Sequence, residues 1–222
     1  MGLWQLKIHF EYILIYIFYH INETLKYLYI MVIKLKSLLK EADQSSMKIQ
    51  IYMDLDGVMA DFDGGFEKIT KKNPRDFENS SEFPDKKAAK KAFWKAINSV
   101  PTFWENLNVL PGSKTLWQHV SETYNNPPPV VLTAGPQSSL NGKSLWVKKH
   151  MGPNTKMILA EKGSIKYKYI LERSPNTLHV LIDDLKINVD NWNNSGKNHI
   201  GILHKNPADT ISQLQNVLKD EV

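Results

Sequence analysis

The 222-residue sequence contains no cysteine. This absence excludes a disulfide-stabilised scaffold, a zinc site with thiolate ligands and catalysis by a cysteine nucleophile. The sequence also lacks a long apolar run. The longest uncharged apolar run, Tyr12 to Tyr19, has eight residues, whereas a membrane-spanning helix needs about 20. No internal repeat is visible.

The composition is that of a globular protein, with 42% hydrophobic and 23% charged residues. The length fits one domain of ordinary size, or one core domain that carries an insertion. Basic residues number 28 and acidic residues 23, which gives a net charge of +5. This charge permits anionic partners but does not require nucleic acid, because the lysines are scattered along the chain.

Residues 1–46 form an apolar N-terminal extension that we expect to be helical. Three interpretations remain open: a helix at a membrane surface, a helix that packs on a partner or on its own domain, or upstream sequence translated before a true start at Met47. We expect the protein to be cytoplasmic, with membrane association through this segment if the first interpretation holds.

Beyond Met47, short apolar runs alternate with helical patterns. This alternation predicts an α/β fold, a Rossmann-like parallel sheet with helices on both faces. The predicted strands are residues 48–53, 130–132, 157–159, 179–182 and 199–203, and the predicted helices are 113–124, 142–151, 165–173, 187–194 and 210–219. A further helical segment, residues 62–108, follows the first strand.

Polar residues follow three of these strands: Asp54 and Asp56, then Thr133, then Asp183 and Asp184. In an open parallel sheet, such residues converge outside the carboxyl ends of the strands. The acids would repel one another without a cation, and their oxygens suit Mg²⁺. One acid of the Asp-x-Asp pair could attack phosphorus while the other transfers protons, although the pair alone also fits a simple turn.

Lysines lie between the second and third of these strand ends. Lys162, Lys166 and Lys168 are near the predicted start of a helix. One of them could neutralise both a carboxylate nucleophile and a bound phosphate.

The order of these residues resembles that of the haloacid dehalogenase-like phosphohydrolases. The segments Met53–Phe66 and Phe103–Gly112 resemble more closely the 5'(3')-deoxyribonucleotidases, and the resemblance covers about residues 48–215. It implies a Mg²⁺-dependent phosphatase that hydrolyses (deoxy)nucleoside monophosphates through an aspartyl-phosphate. The expected partner is therefore a small phosphate ester.

The resemblance also implies roles for individual residues. Asp54 is expected to be the nucleophile and a metal ligand, and Asp56 the general acid and base, with its backbone carbonyl on the metal. Thr133 is expected to hold the phosphate, Asp184 to bind the metal, and Asp183 to lie outside the metal shell. Lys166 is the favoured lysine, with Lys162 and Lys168 as alternatives.

The resemblance further implies a phosphatase core of residues 47–61 and 109–222, with residues 62–108 as an inserted helical cap. The aromatic residues of the cap either roof the base of a nucleotide or form the core of the cap. The predicted substrate-binding residues are Phe62, Trp94, Trp104, Thr133 and Ala134, and Phe66 and Phe103 are further candidates from the cap.

Other functions remain open at this point. The same motifs occur in phosphatases that act on other small phosphate esters or on polynucleotide ends, and the basic stretch Lys86–Lys95 is compatible with the latter. A non-catalytic, membrane-tethered binding protein with the same fold is a third alternative. The intact acids argue against it, because loss of catalysis would relax the need for Asp56.

Overall fold

A computed structural model describes residues 24–37, 47–125, 127–171 and 173–219 of the chain. The chain divides into two compact units, Met1–Ser46 and Met47–Val222. In the first unit, residues 24–37 form a helix, α1, whose side chains are exposed. The expectations for residues 1–23 and 38–46 lie outside the described residues. Within the described ranges, no helix is both long enough and apolar enough to span a membrane.

The second unit is built on a five-stranded parallel sheet with the order β3-β2-β1-β4-β5. The chain adds strands on one side of β1 and then returns to add the others on the opposite side. The carboxyl ends of β1, β2 and β4 are therefore neighbours at the point where the strand order reverses. The strands are β1 (Lys48–Met53), β2 (Val130–Ala134), β3 (Met157–Ala160), β4 (Thr177–Asp183) and β5 (His199–Leu203).

Helices cover both faces of this sheet, so the predicted α/β class is confirmed. Successive residues of β1 point to opposite faces: Ile51 and Met53 belong to one buried cluster and Tyr52 to another. The first cluster includes residues of α5 (Ser113–Thr123), α6 (Leu140–Met151) and α8 (Pro207–Val217), and the second includes Trp192 of α7 (Lys186–Asn193).

Residues 62–108, the cap segment, lie between β1 and β2. They contain three helices, α2 (Phe62–Thr70), α3 (Pro74–Glu78) and α4 (Lys86–Asn98). Asp61, Asn73 and Asp85 each accept a backbone hydrogen bond at the start of one of these helices, which satisfies a donor that the helix itself leaves unpaired.

Several elements begin or end one to three residues from their predicted bounds, and two differences bear on the site. The segment expected to be a helix over residues 165–173 is a 3₁₀ helix, Gly163–Tyr169, with a kink at Ile165. The second strand extends past Thr133 to Ala134, which pairs with Ala160. Both differences lie at the carboxyl edge of the sheet, where they position the residues described below.

Candidate active site

Three carboxylates meet at the carboxyl ends of β1 and β4. Asp54, Asp183 and Asp184 each offer an oxygen, and these oxygens lie within 4.8 Å of one another. Asp54 and Asp183 are buried, and Asp184 is partly buried. This grouping follows from the register, because Met53, which precedes Asp54, pairs with Ile182, which precedes Asp183.

A buried lysine joins two of these acids. The Nζ atom of Lys166 lies 2.8 Å from Oδ2 of Asp54 and 2.6 Å from Oδ2 of Asp183. The side chain is 1% exposed, whereas Lys162 and Lys168 are exposed. Of the three lysines considered from the sequence, the 3₁₀ helix therefore brings Lys166 to the acids.

The two oxygens of Asp183 are occupied by protein donors. Lys166 and the Nδ2 atom of Asn188 donate to Oδ2, and the backbone N–H of Leu185 and Asn188 Nδ2 donate to Oδ1. The Asp183 carboxylate is thus held in place by its neighbours. This arrangement fits a residue that supports the acidic cluster from outside a metal shell.

A second buried lysine, Lys143, binds Asp56 and two residues at the end of β2. Its Nζ atom lies 2.5 Å from Oδ2 of Asp56, and it donates to Oγ1 of Thr133 at 2.9 Å and to the carbonyl of Ala134 at 2.8 Å. It also lies 4.5 Å from the centre of a Trp104 ring, within cation–π range. The other oxygen of Asp56, Oδ1, is buried and has no hydrogen-bond partner among the described residues.

The turn after β1 requires a glycine. Gly57 has a φ of +79°, and a Cβ at this position would collide with the carboxylate of Asp184. Only glycine adopts such a φ without strain. The turn therefore allows Asp184 to approach the Asp54–Asp56 segment closely.

The crowding of these groups shifts their pKa values. Burial, and secondarily Asp54 and Asp183, raises the pKa of Asp184 to about 7. Burial likewise raises the pKa of Asp183, although Lys166 opposes the shift. Burial alone would lower the pKa of Lys166, but Asp54 and Asp183 outweigh it and raise that pKa.

Burial also raises the pKa of Asp56, with Lys143 acting in the opposite direction. A carboxyl group that retains its proton more readily is suited to donating it in catalysis.

The acidic cluster fits Mg²⁺. The donor set is all oxygen, which is what this ion prefers. Burial and the neighbouring carboxylates raise the pKa of Asp184 to about 7, and a bound cation would offset the cost of charging this carboxyl. Asp54 and Asp184 would be the side-chain ligands, with Asp183 behind them.

The acids open into a cleft of about 1270 Å³ between the sheet edge and the cap segment. Phe62 and Phe93 contribute apolar surface, and Ala134 also lines the cleft. Among the described lining residues, the cations are Arg75 and Lys166, against the carboxylates of Asp54, Asp56, Asp61, Asp63, Asp76, Glu78 and Asp184. We call the four acids contributed by residues 61–78 the acidic rim.

Some of the predicted substrate-binding residues line the cleft, and others are buried behind it or lie elsewhere. Phe62 and Ala134 line the cleft. Thr133 is fully buried and touches Lys143, and Trp104 is 7% exposed and stacks on Phe62 with ring centres 5.5 Å apart.

Trp94 does not line this cleft and instead lines a separate hollow with Lys91, Lys95, Asn98 and Ser99. Its neighbour Phe93 faces the cleft, and successive residues of an α-helix point about 100° apart. The prediction that Trp94 contacts substrate in the cleft is therefore not supported by its position.

Lys143 is not among the residues predicted from the sequence, although the sequence carries a signal for it. Lys143, Trp146, Val147 and Met151 are the buried residues of α6, so a lysine occupies the apolar stripe of that helix. A lysine at such a position needs a buried anionic partner. Here that partner is Asp56.

Comparisons with known proteins do not establish a family. No protein-family model and no curated protein matches the chain. Similar solved structures include a protein from Burkholderia xenovorans assigned to the haloacid dehalogenase-like hydrolases, with 14% identity, coverage of 76% of this chain and 87% of that chain, and a TM-score of 0.46.

Two further similar structures have comparable values. One, from Bacteroides vulgatus, is assigned as a beta-phosphoglucomutase, with 14% identity, coverage of 84% and 95%, and a TM-score of 0.46. The other is a magnesium-bound protein from Bacillus subtilis assigned as a hydrolase of the haloacid dehalogenase type, with 13% identity, coverage of 79% and 100%, and a TM-score of 0.45. The function must therefore be argued from the site itself.

Proposed function

We propose that this protein is a Mg²⁺-dependent phosphatase of the haloacid dehalogenase-like superfamily, with Asp54 as its nucleophile. The carrying observation is the convergence, at one edge of the sheet, of a lysine-paired carboxylate and two further acids. A second carboxylate, Asp56, lies two residues after Asp54 beside Lys143 and Thr133. This set provides a nucleophile, a proton donor and, in Lys166, a cation beside the nucleophile.

The proposed reaction has two displacements. In the first, a carboxylate oxygen of Asp54 attacks phosphorus, the ester P–O bond breaks, and Asp56 gives a proton to the leaving oxygen. In the second, Asp56 takes a proton from water as the water oxygen attacks phosphorus. The bond between phosphorus and Asp54 then breaks, releasing inorganic phosphate and restoring both carboxyl groups.

The ion, when bound, would offset the negative charge of the carboxylates and the phosphate. In this proposal the ligands are Asp54, Asp184 and the backbone carbonyl of Asp56. Lys166 orients Asp54 through their ion pair of 2.8 Å.

Thr133 would hold the phosphate, and Lys143 would fix its hydroxyl, since the three N–H donors of Lys143 already bind Asp56, Thr133 and Ala134. The hydroxyl of Thr133 accepts a hydrogen bond from Lys143, and it can still donate its own proton to a phosphoryl oxygen. Positioned donors of this kind stabilise the charge that develops in the transition state.

The negative charge of the acidic rim limits which phosphate esters fit the cleft. A second phosphate, or the phosphodiester backbone of a polynucleotide, would lie against Asp61, Asp63, Asp76 or Glu78, with Arg75 as the nearby lining cation. Placing a second negative charge beside these carboxylates is electrostatically unfavourable. We therefore favour a monoester with one phosphate and an otherwise uncharged leaving group.

A nucleoside monophosphate meets these requirements. The base can pack on the apolar surface of Phe62 in the cleft, and the ribose hydroxyls can donate to the carboxylates of the rim. Phe62 is fixed for this purpose by rings on several sides, including Phe103 and Trp104 at 5.8 and 5.5 Å between ring centres. Another small phosphate ester with an uncharged leaving group is the second candidate.

The test is phosphate release by the full chain from a panel of esters, each with Mg²⁺ and with excess chelator. The panel contains ribo- and deoxyribonucleoside 5'- and 3'-monophosphates, nucleoside diphosphates, p-nitrophenyl phosphate and a 5'-phosphorylated oligonucleotide. Asp54→Asn is the inactive control. Asp190→Asn is the matched control, since Asp190 is a partly exposed acid of α7 that pairs with Lys186.

We expect hydrolysis of the monoesters only in the presence of Mg²⁺, with the highest kcat/KM for a nucleoside monophosphate. Hydrolysis of the diphosphates and the oligonucleotide should be at least tenfold poorer. No release from any ester, or equal rates with chelator, would contradict the proposed activity. Release from p-nitrophenyl phosphate without preference for nucleotides would support the phosphatase activity and contradict the proposed nucleotide substrate.

A further inference from the structure

Helix α4 carries a basic surface that the proposed reaction does not use. Five lysines and one tryptophan lie on this helix, and no acidic residue occurs from position 86 to position 104. We call this surface the α4 basic face, and its members are Lys86, Lys87, Lys90, Lys91, Trp94 and Lys95.

The face is continuous along the helix. Residues three or four apart are neighbours on a helix surface, so Lys86, Lys90 and Trp94 form one row, and Lys87, Lys91 and Lys95 form the adjacent row. The buried residues of α4 are Ala89, Phe93 and Ile97, and at 100° per residue Lys91 and Lys95 point away from them. All five lysines are exposed.

Asp85, the N-cap residue of α4, is the acidic residue next to these lysines in the sequence. No ion pair joins any of them to a carboxylate within the described parts of the chain. Five adjacent cations repel one another, and an anionic partner would relieve that repulsion.

Trp94 adds an aromatic group to the cations. Its ring packs edge-on against Phe93, with ring centres 5.2 Å apart and planes at 82°, so the indole is held by the core of the cap segment. It lines a hollow of about 660 Å³ together with Lys91, Lys95, Asn98 and Ser99. The hollow thus combines an aromatic wall, two cations and an amide that can both donate and accept hydrogen bonds.

We propose that the α4 basic face binds a single-stranded nucleic acid, with a base on Trp94 and the phosphates on the lysines. Proteins that bind single strands combine a cationic track with aromatic side chains on which bases stack. An acidic peptide would use the cations but not the aromatic wall.

A membrane surface fits the face less well. Among the described residues, the exposed large apolar side chains include none from α4. Insertion into a bilayer interface requires an apolar face, and Trp94 alone does not provide one.

This inference does not depend on the phosphatase activity. The cleft is lined by Phe93 and by the acidic rim, and no lysine of α4 is among the described residues that line it. Binding is measured without turnover, so failure of either proposal leaves the other standing.

The experiment is fluorescence anisotropy of a fluorescein-labelled 12-nucleotide oligothymidylate without a terminal phosphate, titrated with the full chain at several salt concentrations. The paired variants are Lys91→Ala/Lys95→Ala and, as a matched control, Lys148→Ala/Lys149→Ala. The control lysines are also exposed and lie in the last turn of α6. Both variants remove two positive charges from a helix surface.

For a single strand, the slope of log K against log salt becomes shallower by about 0.7 for each phosphate that the protein no longer neutralises. The Lys91/Lys95 variant should therefore reduce the slope by about 1.4, while the control leaves it unchanged. An equal reduction in both variants would mean that net charge alone attracts the strand, which would overturn the proposal.

Trp94 is tested by a second pair. Trp94→Leu keeps an apolar side chain but removes the aromatic face, and should weaken binding by about fivefold or more at constant salt slope. Trp94→Phe keeps an aromatic face and should recover most of the affinity. Equal affinity of both variants and the unmodified chain would contradict the proposed stacking of a base on Trp94.

Two competitors complete the test. A polyglutamate of matched charge and vesicles with anionic lipid should each displace the oligonucleotide poorly. Displacement by polyglutamate at equal charge concentration, or vesicle binding that is equally sensitive to Trp94→Leu, would overturn the assignment to nucleic acid.

Discussion

Lys143 offers a quantitative test of how the candidate site is held together. The substitution Lys143→Met keeps the length and apolar stem of the side chain and removes the ammonium group. The structure then leaves Asp56 without its ion pair of 2.5 Å and Thr133 without its donor at 2.9 Å. Because Oδ1 of Asp56 already has no described partner, the carboxylate would lose its main compensation.

Breaking a buried ion pair costs about 3–5 kcal/mol of unfolding free energy. The lysine is fully buried, but the side chain of Asp56 is 22% exposed. Water therefore compensates part of the loss, and we expect a cost of about 3 kcal/mol, the lower end of that range. For a folded unit of this size, that corresponds to a fall in Tm of about 6–12 °C.

The loss should depend on pH in a defined direction. Burial raises the pKa of Asp56 and Lys143 lowers it, so removal of the lysine raises that pKa further. A carboxyl whose pKa is higher in the folded state than in the unfolded state loses stability as pH rises. The deficit of Lys143→Met should therefore be larger at pH 8 than at pH 5.

The assay is urea and thermal unfolding in the presence of chelator at both pH values. Lys149→Met, at an exposed lysine of the same helix, is the control. Adding Asp56→Asn to Lys143→Met should recover at least half of the loss at pH 8, because it removes the unpaired charge. A deficit below about 1 kcal/mol, the range of a surface pair, or one independent of pH, would refute this account of the site.

Three further predictions concern the metal, the N-terminal segment and the acidic cluster. Activity should require Mg²⁺ and be inhibited by Ca²⁺, which accepts more oxygens at longer distances and would engage both oxygens of Asp54; full activity in excess chelator would exclude this. A protein that begins at Met47 should fold and keep its kcat/KM within about threefold, or roughly 0.6 kcal/mol in the barrier, as measured by phosphate release; an insoluble or inactive product would show that residues 1–46 belong to the folded core. Because burial raises the pKa of Asp184 to about 7, metal-free protein should lose thermal stability between pH 5 and pH 8, and Asp184→Asn should flatten this profile; an unchanged profile would show that the carboxyl is not responsible.

The sequence was sufficient to predict the sheet and the edge at which the acids meet. Three of the predicted strands are short, mostly apolar runs followed directly by a polar residue, as in the run before Asp54. In a parallel sheet these ends must lie at one edge. The convergence of Asp54, Asp183 and Asp184 follows from that rule.

Other features depend on side-chain direction, which composition does not show. Three lysines lie within seven residues, and only the 3₁₀ geometry with its kink at Ile165 determines that Lys166 is buried. Trp94 and Phe93 are adjacent and equally aromatic, yet they lie on different sides of α4. Lys143 was not predicted as a site residue, because a lysine within a helix is usually exposed. Its role follows only when it is compared with the other buried residues of α6.

The covalent intermediate tests the central claim most directly. The full chain would be mixed with a ³²P-labelled nucleoside monophosphate and Mg²⁺, quenched in acid during turnover and digested to locate the label. We predict a phosphate on the peptide that contains Asp54, stable in acid, released by hydroxylamine as expected of an acyl phosphate, and absent from Asp54→Asn, which should also lack turnover. Turnover by Asp54→Asn at a rate near that of the unmodified chain, or label on a peptide without Asp54, would contradict the mechanism.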